Sequence, residues 1–439
     1  MKTVRRFLPA LIGGALMLAS AAARAEDTAP CPDTLPAGTR CYSGQDENGA
    51  WYWIAIPQNW NNALVVHAHG GPRLEPVSAK ISLEDLERFS VVVRQGYAWA
   101  GTSYRHPGWG VRLAAADVDN LRRLFIARFG KPKRIILHGQ SWGGNVAAKA
   151  IELYAKGPGG GRNYDGVMLT SGVIAGATKA YLFRADLRAV YQYYCRNWPR
   201  PDEPQYPLWM GLPADSRLTR KDLAERVNDC TGVELPAEQR SATQKQNLKN
   251  ILDVIRIPRR SLTADMAWAT FLFRDMVQRT LASQNPFSNR KALYYGSSDD
   301  AALNRDVVRF DADPRAVAAL AEDGDLTGKI AVPVITMHAI DDPTAMVEYE
   351  AVYHDTVAAA GRSALLVQTF TDEHEHSKLA DAEYATLLDA LGRWIDSGRR
   401  PSAAEVAARC PSFDREGEGG CHFEPGFQPG PLFSRVTPR

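Results

Sequence analysis

One pentapeptide of the chain has the pattern of a serine that is activated as a nucleophile. It reads Gly139-Gln140-Ser141-Trp142-Gly143, and it follows a short apolar run at residues 135–138. A stretch of small, helix-forming residues, 143–155, comes directly after it. A tight strand-to-helix turn pushes a serine hydroxyl out of a sheet, and glycines on both sides avoid steric clash there. We therefore predict that Ser141 is a nucleophile in an elbow formed with Gly139 and Gly143, rather than a serine of an ordinary glycine-rich turn.

A second glycine-rich loop supplies candidates for stabilising a developing negative charge. His69-Gly70-Gly71-Pro72 ends an earlier apolar run, residues 63–69. Attack on an ester or amide carbonyl creates an oxyanion, which needs two preorganised hydrogen-bond donors. We predict that the backbone N–H of Trp142, at the start of a helix, is one donor and that of Gly71 is the other, because Pro72 has no N–H. We interpret His69 as shaping this loop rather than acting as a base.

Two later loops contain the partners that such a serine needs. A serine hydroxyl becomes a good nucleophile when a histidine takes its proton and a carboxylate orients that histidine. Asp341 and Asp342 follow the apolar run 332–338, and His374 and His376 follow the run 365–370. The chain order of serine, acid and histidine, each after a strand, is the order in sheets that carry this elbow. The residues alone leave both pairs of candidates open.

The apolar runs around these loops predict a sheet covered by helices. Strand-like and helix-like segments alternate as far as Gly172, stop over residues 174–327, and then resume. Such alternation predicts an α/β fold with a doubly wound, mostly parallel sheet, and a mainly helical cap inserted after the sixth core strand. The predicted strands are residues 51–57, 63–69, 97–104, 135–138, 166–170, 332–338 and 365–370. The predicted helices are residues 81–95, 113–129, 143–155, 347–360 and 379–395.

The N-terminus has the pattern of an export signal. Lys2, Arg5 and Arg6 precede an apolar stretch, residues 7–22, and Ala23-Arg24-Ala25 offers a small-residue cleavage site. The stretch is short and rich in alanine and glycine, which disfavours a membrane anchor. We predict a signal peptide at 1–25, a hydrolase core at 26–173 and 329–399, a cap at 174–328, a disulfide-tied tail at 400–439, and a periplasmic or secreted protein without a stable membrane anchor.

Cysteine usage and charge narrow the function classes further. An even cysteine count in an exported chain favours disulfides, and spacing favours local pairs: Cys31–Cys41, Cys195–Cys230 and Cys410–Cys421. The formal net charge is only +2, without a long run of like charge, which argues against a nucleic-acid partner. No Cys-x-x-Cys pair or histidine cluster suggests zinc, so we expect neither a metal nor an organic cofactor. Oligomeric state is left undetermined.

These motifs together resemble the α/β-hydrolase superfamily, in particular its secreted serine esterases, over about residues 64–394. Members often read His-Gly-x-x-Asp-Pro at the acid loop, which is similar to residues 338–343 with Ala339 in place of the glycine. The resemblance therefore implies Asp342 as the acid. A Gly-His-x-x-Phe loop of the superfamily resembles residues 375–379, with Glu375 in place of its glycine, and implies His376 as the base.

Two narrower resemblances point to different substrates. His-Gly-Gly-Pro combined with Gly-x-Ser-Trp-Gly is similar to proline iminopeptidases, although their loop continues with glycine where this chain has Arg73. Tyr164-Asp165-Gly166 resembles tannase and feruloyl-esterase relatives, without their calcium-binding lid pattern. We expect a small-molecule carboxylic ester to be cleaved through an acyl-enzyme. The alternatives are an aminopeptidase that uses Asp202 or Glu203 to bind the substrate's ammonium group, and a non-catalytic periplasmic binding protein.

Side chains of the insertion add two weaker hypotheses. Its aromatic residues form either a wall over Ser141 or simply the packing core of the segment. Arg73 and Arg105, on strand-end loops, are candidates for meeting a substrate carboxylate, and each is more simply a loop cation. The aromatic residues in question are Tyr191, Tyr193, Tyr194, Trp198, Trp209, Trp268, Phe271 and Phe273.

Overall fold

A computed structural model describes residues 28–157, 159–415 and 419–438. The predicted signal peptide at 1–25 lies outside the described residues. Within the described ranges, the helices are too short or too polar for any of them to cross a membrane.

The nine strands found in the described residues form one sheet, in the order β1-β2-β3-β5-β4-β6-β7-β8-β9. β1, β2, β3 and β5 pair antiparallel, whereas every pairing from β5 through β4 to β9 is parallel. The strands are β1 Thr28–Ala29, β2 Arg40–Gln45, β3 Trp51–Ile56, β4 Ala63–Ala68, β5 Ala98–Thr102, β6 Arg134–Gln140, β7 Gly166–Thr170, β8 Val334–Ala339 and β9 Leu366–Thr371.

Helices cover both faces of this sheet. On one face α3 and α4 contribute Val118 and Val146 to a large apolar core, and on the other α2 and α14 contribute Val92 and Leu391 to a second. The helices are α1 Ala79–Arg88, α2 Ser90–Arg94, α3 Val111–Phe129, α4 Trp142–Tyr154, α5 Ala177–Ala180, α6 Leu182–Cys195, α7 Arg220–Thr231, α8 Ala242–Ile255, α9 Leu262–Ala267, α10 Phe273–Asp275, α11 Asp300–Asp306, α12 Pro314–Gly324, α13 Tyr349–Ala359, α14 Asp381–Ser397 and α15 Ala403–Ala407.

Burial on both faces explains why the central strands are continuous apolar runs. β4 and β8 are buried along their whole length, and β6 is buried from its second residue onward. Parallel pairing of β4 with β6 sets Ala68 beside Gly139, so the loops after these two strands meet at one edge of the sheet. The structure confirms the predicted doubly wound, mostly parallel sheet, and its architecture is that of the α/β-hydrolase fold.

The chain between β7 and β8 is helical in the residues that the structure describes, with α5 to α12 and no strand. Its aromatic side chains mostly form its own core, because Tyr191, Trp198 and Phe273 are fully buried. The boundaries at 174 and 328, and the action of this segment as a cap, stay predictions.

Two features of the sheet's surroundings differ from the sequence expectation. Residues 81–95 form two helices, α1 and α2, rather than one, and the break is at Phe89 (φ −102°, ψ 28°). The Phe89 ring is fully buried 4.8 Å from the ring of His67, so core packing at this residue accompanies the bend. The antiparallel strands β1 and β2, which precede the first predicted strand, add to the sheet's edge.

The C-terminal tail returns to the last strand. Disulfides join Cys31 to Cys41, Cys195 to Cys230 and Cys410 to Cys421, the pairs that spacing favours. Beyond Cys421, the Asp372 N–H donates to the His422 carbonyl at 2.8 Å, and the Glu424 N–H donates to the Phe370 carbonyl at 2.8 Å. The tail therefore contacts the C-terminal end of β9 and the loop that follows it.

Candidate active site

Ser141 occupies a strained turn between β6 and α4. Its backbone angles, φ of +57° and ψ of −127°, lie in a region that residues other than glycine rarely adopt. A Cβ at Gly139 would lie 2.2 Å from the Gly143 carbonyl oxygen, and one at Gly143 would lie 2.0 Å from the carbonyl oxygen of Ala68. Both flanking positions therefore require glycine, because the start of α4 is packed against the end of β6 at Gly139 and against the end of β4 at Gly143.

Ser141, His376 and Asp342 form a hydrogen-bonded row. His376 Nε2 lies 2.7 Å from Ser141 Oγ, and His376 Nδ1 lies 2.7 Å from Asp342 Oδ2. Asp342 comes from the loop after β8 and His376 from the loop after β9, so three loops at one sheet edge converge. An imidazole held in this way can accept the serine proton at one nitrogen while the carboxylate orients the other.

The Asp342 carboxylate is fixed and kept ionised by its surroundings. Its side chain is fully buried, and Oδ1 accepts hydrogen bonds from the N–H groups of Thr344 at 2.8 Å and Ala345 at 2.9 Å. Burial alone would raise the pKa of Asp342, but the contacts with His376, the nearby His338 and the Thr344 N–H outweigh it and lower that pKa. The carboxylate therefore presents a negative charge to His376 at neutral pH.

Asp341 and His374, the other candidates of these loops, lie apart from Ser141. The side chain of His374 is 67% exposed and its Nδ1 lies 3.4 Å from Asp341 Oδ2. Asp341 also accepts a hydrogen bond from Arg260 at 3.0 Å. These residues form a surface network, whereas the structure brings Asp342 and His376 to the serine.

Two backbone N–H groups are available near the serine. Trp142 is the first residue of α4, and Gly71 lines the same cavity as Ser141. Among the described residues, neither N–H has a hydrogen-bond acceptor. A Cβ at Gly70 would lie 2.5 Å from the Gln140 side-chain oxygen, so the glycine loop packs directly against the elbow.

A buried histidine–aspartate network beneath these loops was missed by sequence reasoning. Asp85 Oδ2 lies 3.2 Å from His67 Nε2 and 3.6 Å from His69 Nδ1, and His67 Nδ1 lies 3.0 Å from His138 Nδ1. Burial lowers the pKa of His69 to about 4 although Asp85 opposes that shift, so His69 is neutral at pH 7. The available sequence signal is spacing: Asp85 follows Ile81 by four residues, which places both on one face of a helix.

The cavity over Ser141 has a volume of about 440 Å³. Its walls include Ser141, His376, Gly71, Trp268, Arg88 and Arg220. Of the aromatic residues considered for a wall, Trp268 lines this cavity, and the others lie outside its lining. The packing-core interpretation therefore describes most of them better.

The other charged candidates are already paired within the protein. Arg73 Nη1 lies 2.8 Å from Glu84, and Arg105 Nε lies 2.6 Å from Asp117. Glu203 receives two hydrogen bonds from Arg226, at 2.8 and 2.6 Å. Neither Glu203 nor Asp202 lines the Ser141 cavity. The aminopeptidase alternative thus lacks its expected ammonium-binding carboxylates at this cavity.

One group of possible metal ligands lies near the His376 loop. Ligand atoms of Glu373, Glu383 and His422 lie within 4.8 Å of one another. Glu373 accepts a hydrogen bond from Thr371 Oγ1 at 2.9 Å, and Glu383 accepts one from the His422 N–H at 2.8 Å. The carboxylates are therefore hydrogen-bonded within the protein.

Comparison with known proteins gives one local sequence match and several distant similarities of backbone. No family model matches the chain. The o-phthalyl amidase of Xanthobacter agilis is 32% identical over 117 residues, which are 26% of this chain and 24% of that protein. The chain thus spans about a quarter of the curated relative's length.

Similar solved structures include an esterase from Aspergillus oryzae, with 13% identity, a TM-score of 0.43, and coverage of 83% of this chain and 81% of that one. Candida Antarctica lipase A has 11% identity, a TM-score of 0.41, and coverage of 84% and 79%. The Pyrococcus horikoshii acylaminoacyl peptidase has 8% identity, a TM-score of 0.37, and coverage of 82% and 41%.

Proposed function

We propose that the protein is a serine hydrolase that cleaves carboxylic esters through a covalent acyl-enzyme. The observation that carries the proposal is the hydrogen-bonded row of Ser141, His376 and Asp342, with contacts of 2.7 Å on both sides of the imidazole. Pure binding needs no such row, which argues against a non-catalytic binding protein.

The proposed reaction begins when Ser141 Oγ attacks the ester carbonyl carbon while His376 Nε2 takes the hydroxyl proton. The N–H groups of Gly71 and Trp142 stabilise the oxyanion that forms. When the tetrahedral intermediate collapses, His376 gives its proton to the leaving alcohol and the acyl group stays on Ser141. Water then attacks this acyl ester with His376 as the base, releasing the acid and restoring the serine. Neither a metal nor an organic cofactor enters these steps.

The decisive test compares wild type with Ser141→Ala on p-nitrophenyl esters of short acids. We expect the variant to lose ester turnover and labelling by a fluorophosphonate probe while its circular dichroism and unfolding temperature stay close to wild type. Ser363→Ala is the matched control, because Ser363 is exposed and outside the cavity lining. Normal turnover by folded Ser141→Ala would refute the mechanism, and a wild-type protein that the probe does not label would favour a binding protein.

Amide cleavage is the second candidate, and the local match to an o-phthalyl amidase favours it. The same row of residues can serve either bond, since the leaving amine would receive its proton from His376 just as an alcohol does. The two activities are separated by comparing kcat/KM for an ester and an anilide that carry the same acyl group. We expect larger kcat/KM for the ester, and a faster anilide would reverse this order.

The same proposal places the mature protein in the periplasm or outside the cell. The signal-like pattern of residues 1–25 supports export, and so do the three disulfides, which form and persist in oxidising compartments.

A further inference from the structure

Three arginines line the cavity over Ser141, and they differ in whether a carboxylate or another hydrogen-bond acceptor contacts the guanidinium. Arg73 is paired with Glu84 at 2.8 Å. Arg88 donates a hydrogen bond to the Ser377 carbonyl oxygen, and among the described residues it has no carboxylate within salt-bridge distance. Arg220 has no carboxylate within that distance either, nor any hydrogen-bond acceptor in the part of the chain that the structure describes. Its guanidinium lies 5.2 Å from the centre of the Phe271 ring.

Nearby carboxylates do not neutralise these two arginines. Asp85 lines the cavity, but its carboxylate contacts His67 at 3.2 Å. Glu75 also lines it, and its Oε2 accepts a hydrogen bond from the Leu74 N–H at 3.1 Å. Asp222, two residues after Arg220, is engaged by the N–H and hydroxyl of Thr219, each at 2.7 Å. None of these carboxylates contacts Arg88 or Arg220, so the Arg220 guanidinium has neither a hydrogen-bond acceptor nor an ion-pair partner among the described residues.

The unpaired guanidinium of Arg220 is available to bind an anionic group of a substrate. A guanidinium stays charged at all working pH values and binds a carboxylate through two parallel hydrogen bonds. Contact with an aromatic ring restrains its orientation. Because Arg220 and Ser141 line one cavity of about 440 Å³, a small substrate can reach both, and Trp268 adds an aromatic wall to the same space.

We propose that this cavity selects substrates that carry a free carboxylate besides the scissile carbonyl, and that Arg220 is the specificity-determining residue, assisted by Arg88. The substrate class is the half-ester, or half-amide, of a dicarboxylic acid whose two carbonyl groups are joined by a short apolar or aromatic part. This inference rests on the proposed function, since it names the substrate of the same serine.

The test uses a matched pair of esters that differ in one charge: 4-nitrophenyl 3-carboxybenzoate and the methyl ester of its free carboxyl group. A carboxylate in the meta position cannot reach its own ester carbonyl, and Ser141→Ala supplies the background rate. We expect wild type to prefer the anionic ester by about 10- to 100-fold in kcat/KM, as for a charge-assisted hydrogen bond at a binding site. The aliphatic pair, mono-4-nitrophenyl glutarate and its methyl ester, is run in parallel.

The variant is Arg220→Gln, in which we expect that preference to fall at least about tenfold, mainly through KM. Arg220→Lys should retain part of it. Arg217→Gln is the matched control, because Arg217 is exposed, precedes Arg220 by three residues and lies outside the cavity lining. Wild type itself should lose part of its preference between about 0.05 and 0.5 M salt, a readout that needs no variant.

The failures of the two proposals are distinguishable. Equal kcat/KM for the anionic and neutral members of both pairs, or an unchanged preference in folded Arg220→Gln, would overturn the role of Arg220 while leaving serine hydrolysis intact. No Ser141-dependent hydrolysis of any of these four esters would instead count against the proposed function itself.

Discussion

Replacing Asp342 by asparagine changes one atom of the site and should nearly abolish activity. Asp342 Oδ1 accepts hydrogen bonds from the N–H groups of Thr344 and Ala345. An asparagine keeps both contacts by placing its oxygen there, which turns its NH₂ group toward His376 Nδ1. That nitrogen must then accept, so the imidazole proton moves to Nε2, which faces Ser141 Oγ at 2.7 Å. An Nε2 that already carries a proton cannot take another from the serine.

The loss expected from this wrong tautomer is about 10⁴-fold in kcat, or about 5 kcal/mol of transition-state stabilisation. The assay is the steady-state hydrolysis of a p-nitrophenyl ester, with background rates taken from Ser141→Ala and folding checked by circular dichroism. Asp341→Asn is the matched control, because that side chain is 47% exposed and contacts Arg260 and His374 rather than His376. It should stay within about twofold of wild type, since exposed ion pairs contribute little. Folded Asp342→Asn that retained more than about a tenth of the wild-type kcat would refute this reasoning.

Two further predictions concern stability. Gly143→Ala should lower the free energy of unfolding by about 3 kcal/mol or more, because its Cβ would meet the backbone oxygen of Ala68 at 2.0 Å. The midpoints of urea unfolding measure this loss of stability. Gly159→Ala is the control and should keep the wild-type midpoint, because a Cβ at Gly159 would meet no atom of the described residues within 4 Å. Equal midpoints for the two variants would contradict the prediction. Burial and the neighbouring Glu383 raise the pKa of Glu373 from 4.5 to about 7, so this carboxyl's contribution to stability is present at low pH and is lost as pH rises through that interval. The free energy of unfolding of Glu373→Gln, measured with urea, should therefore rise relative to that of wild type between about pH 5 and pH 8. If the two free energies changed with pH in parallel, the raised pKa would be wrong.

The sheet was predictable from the sequence because its strands are buried on both faces. Runs such as residues 63–69 and 166–170 are apolar throughout, and the structure has β4 at Ala63–Ala68 and β7 at Gly166–Thr170. The split of residues 81–95 into two helices was missed, because apolar periodicity continues across Phe89 and only tertiary packing places that ring against His67 and His138. Local pattern could not reveal a break that a distant strand imposes.

At the site, local pattern reached the loops but could not choose among neighbouring residues. Asp341 and Asp342 are adjacent in sequence, and the difference between them is tertiary: the first side chain is 47% exposed and the second is fully buried. The contact of Asp85 with His67 joins a helix to a strand, and no sequence motif predicts such a contact. Arg220 is not among the residues that the sequence predicts for the site, because it is distant from Ser141 in sequence and lines the same cavity only in the folded chain.

The way the sheet ends has a consequence for self-association. An exposed edge strand offers unpaired N–H and C=O groups to another molecule and can seed aggregation. At one end the described part of β1 is Thr28 and Ala29, which pair with β2. At the other end the tail pairs with the last residue of β9 through the Thr371–Phe423 bridge, two residues after the Cys410–Cys421 disulfide. A second chain that added to this end of β9 would have to displace the tail, so we expect reduction of the Cys410–Cys421 disulfide to make such displacement easier.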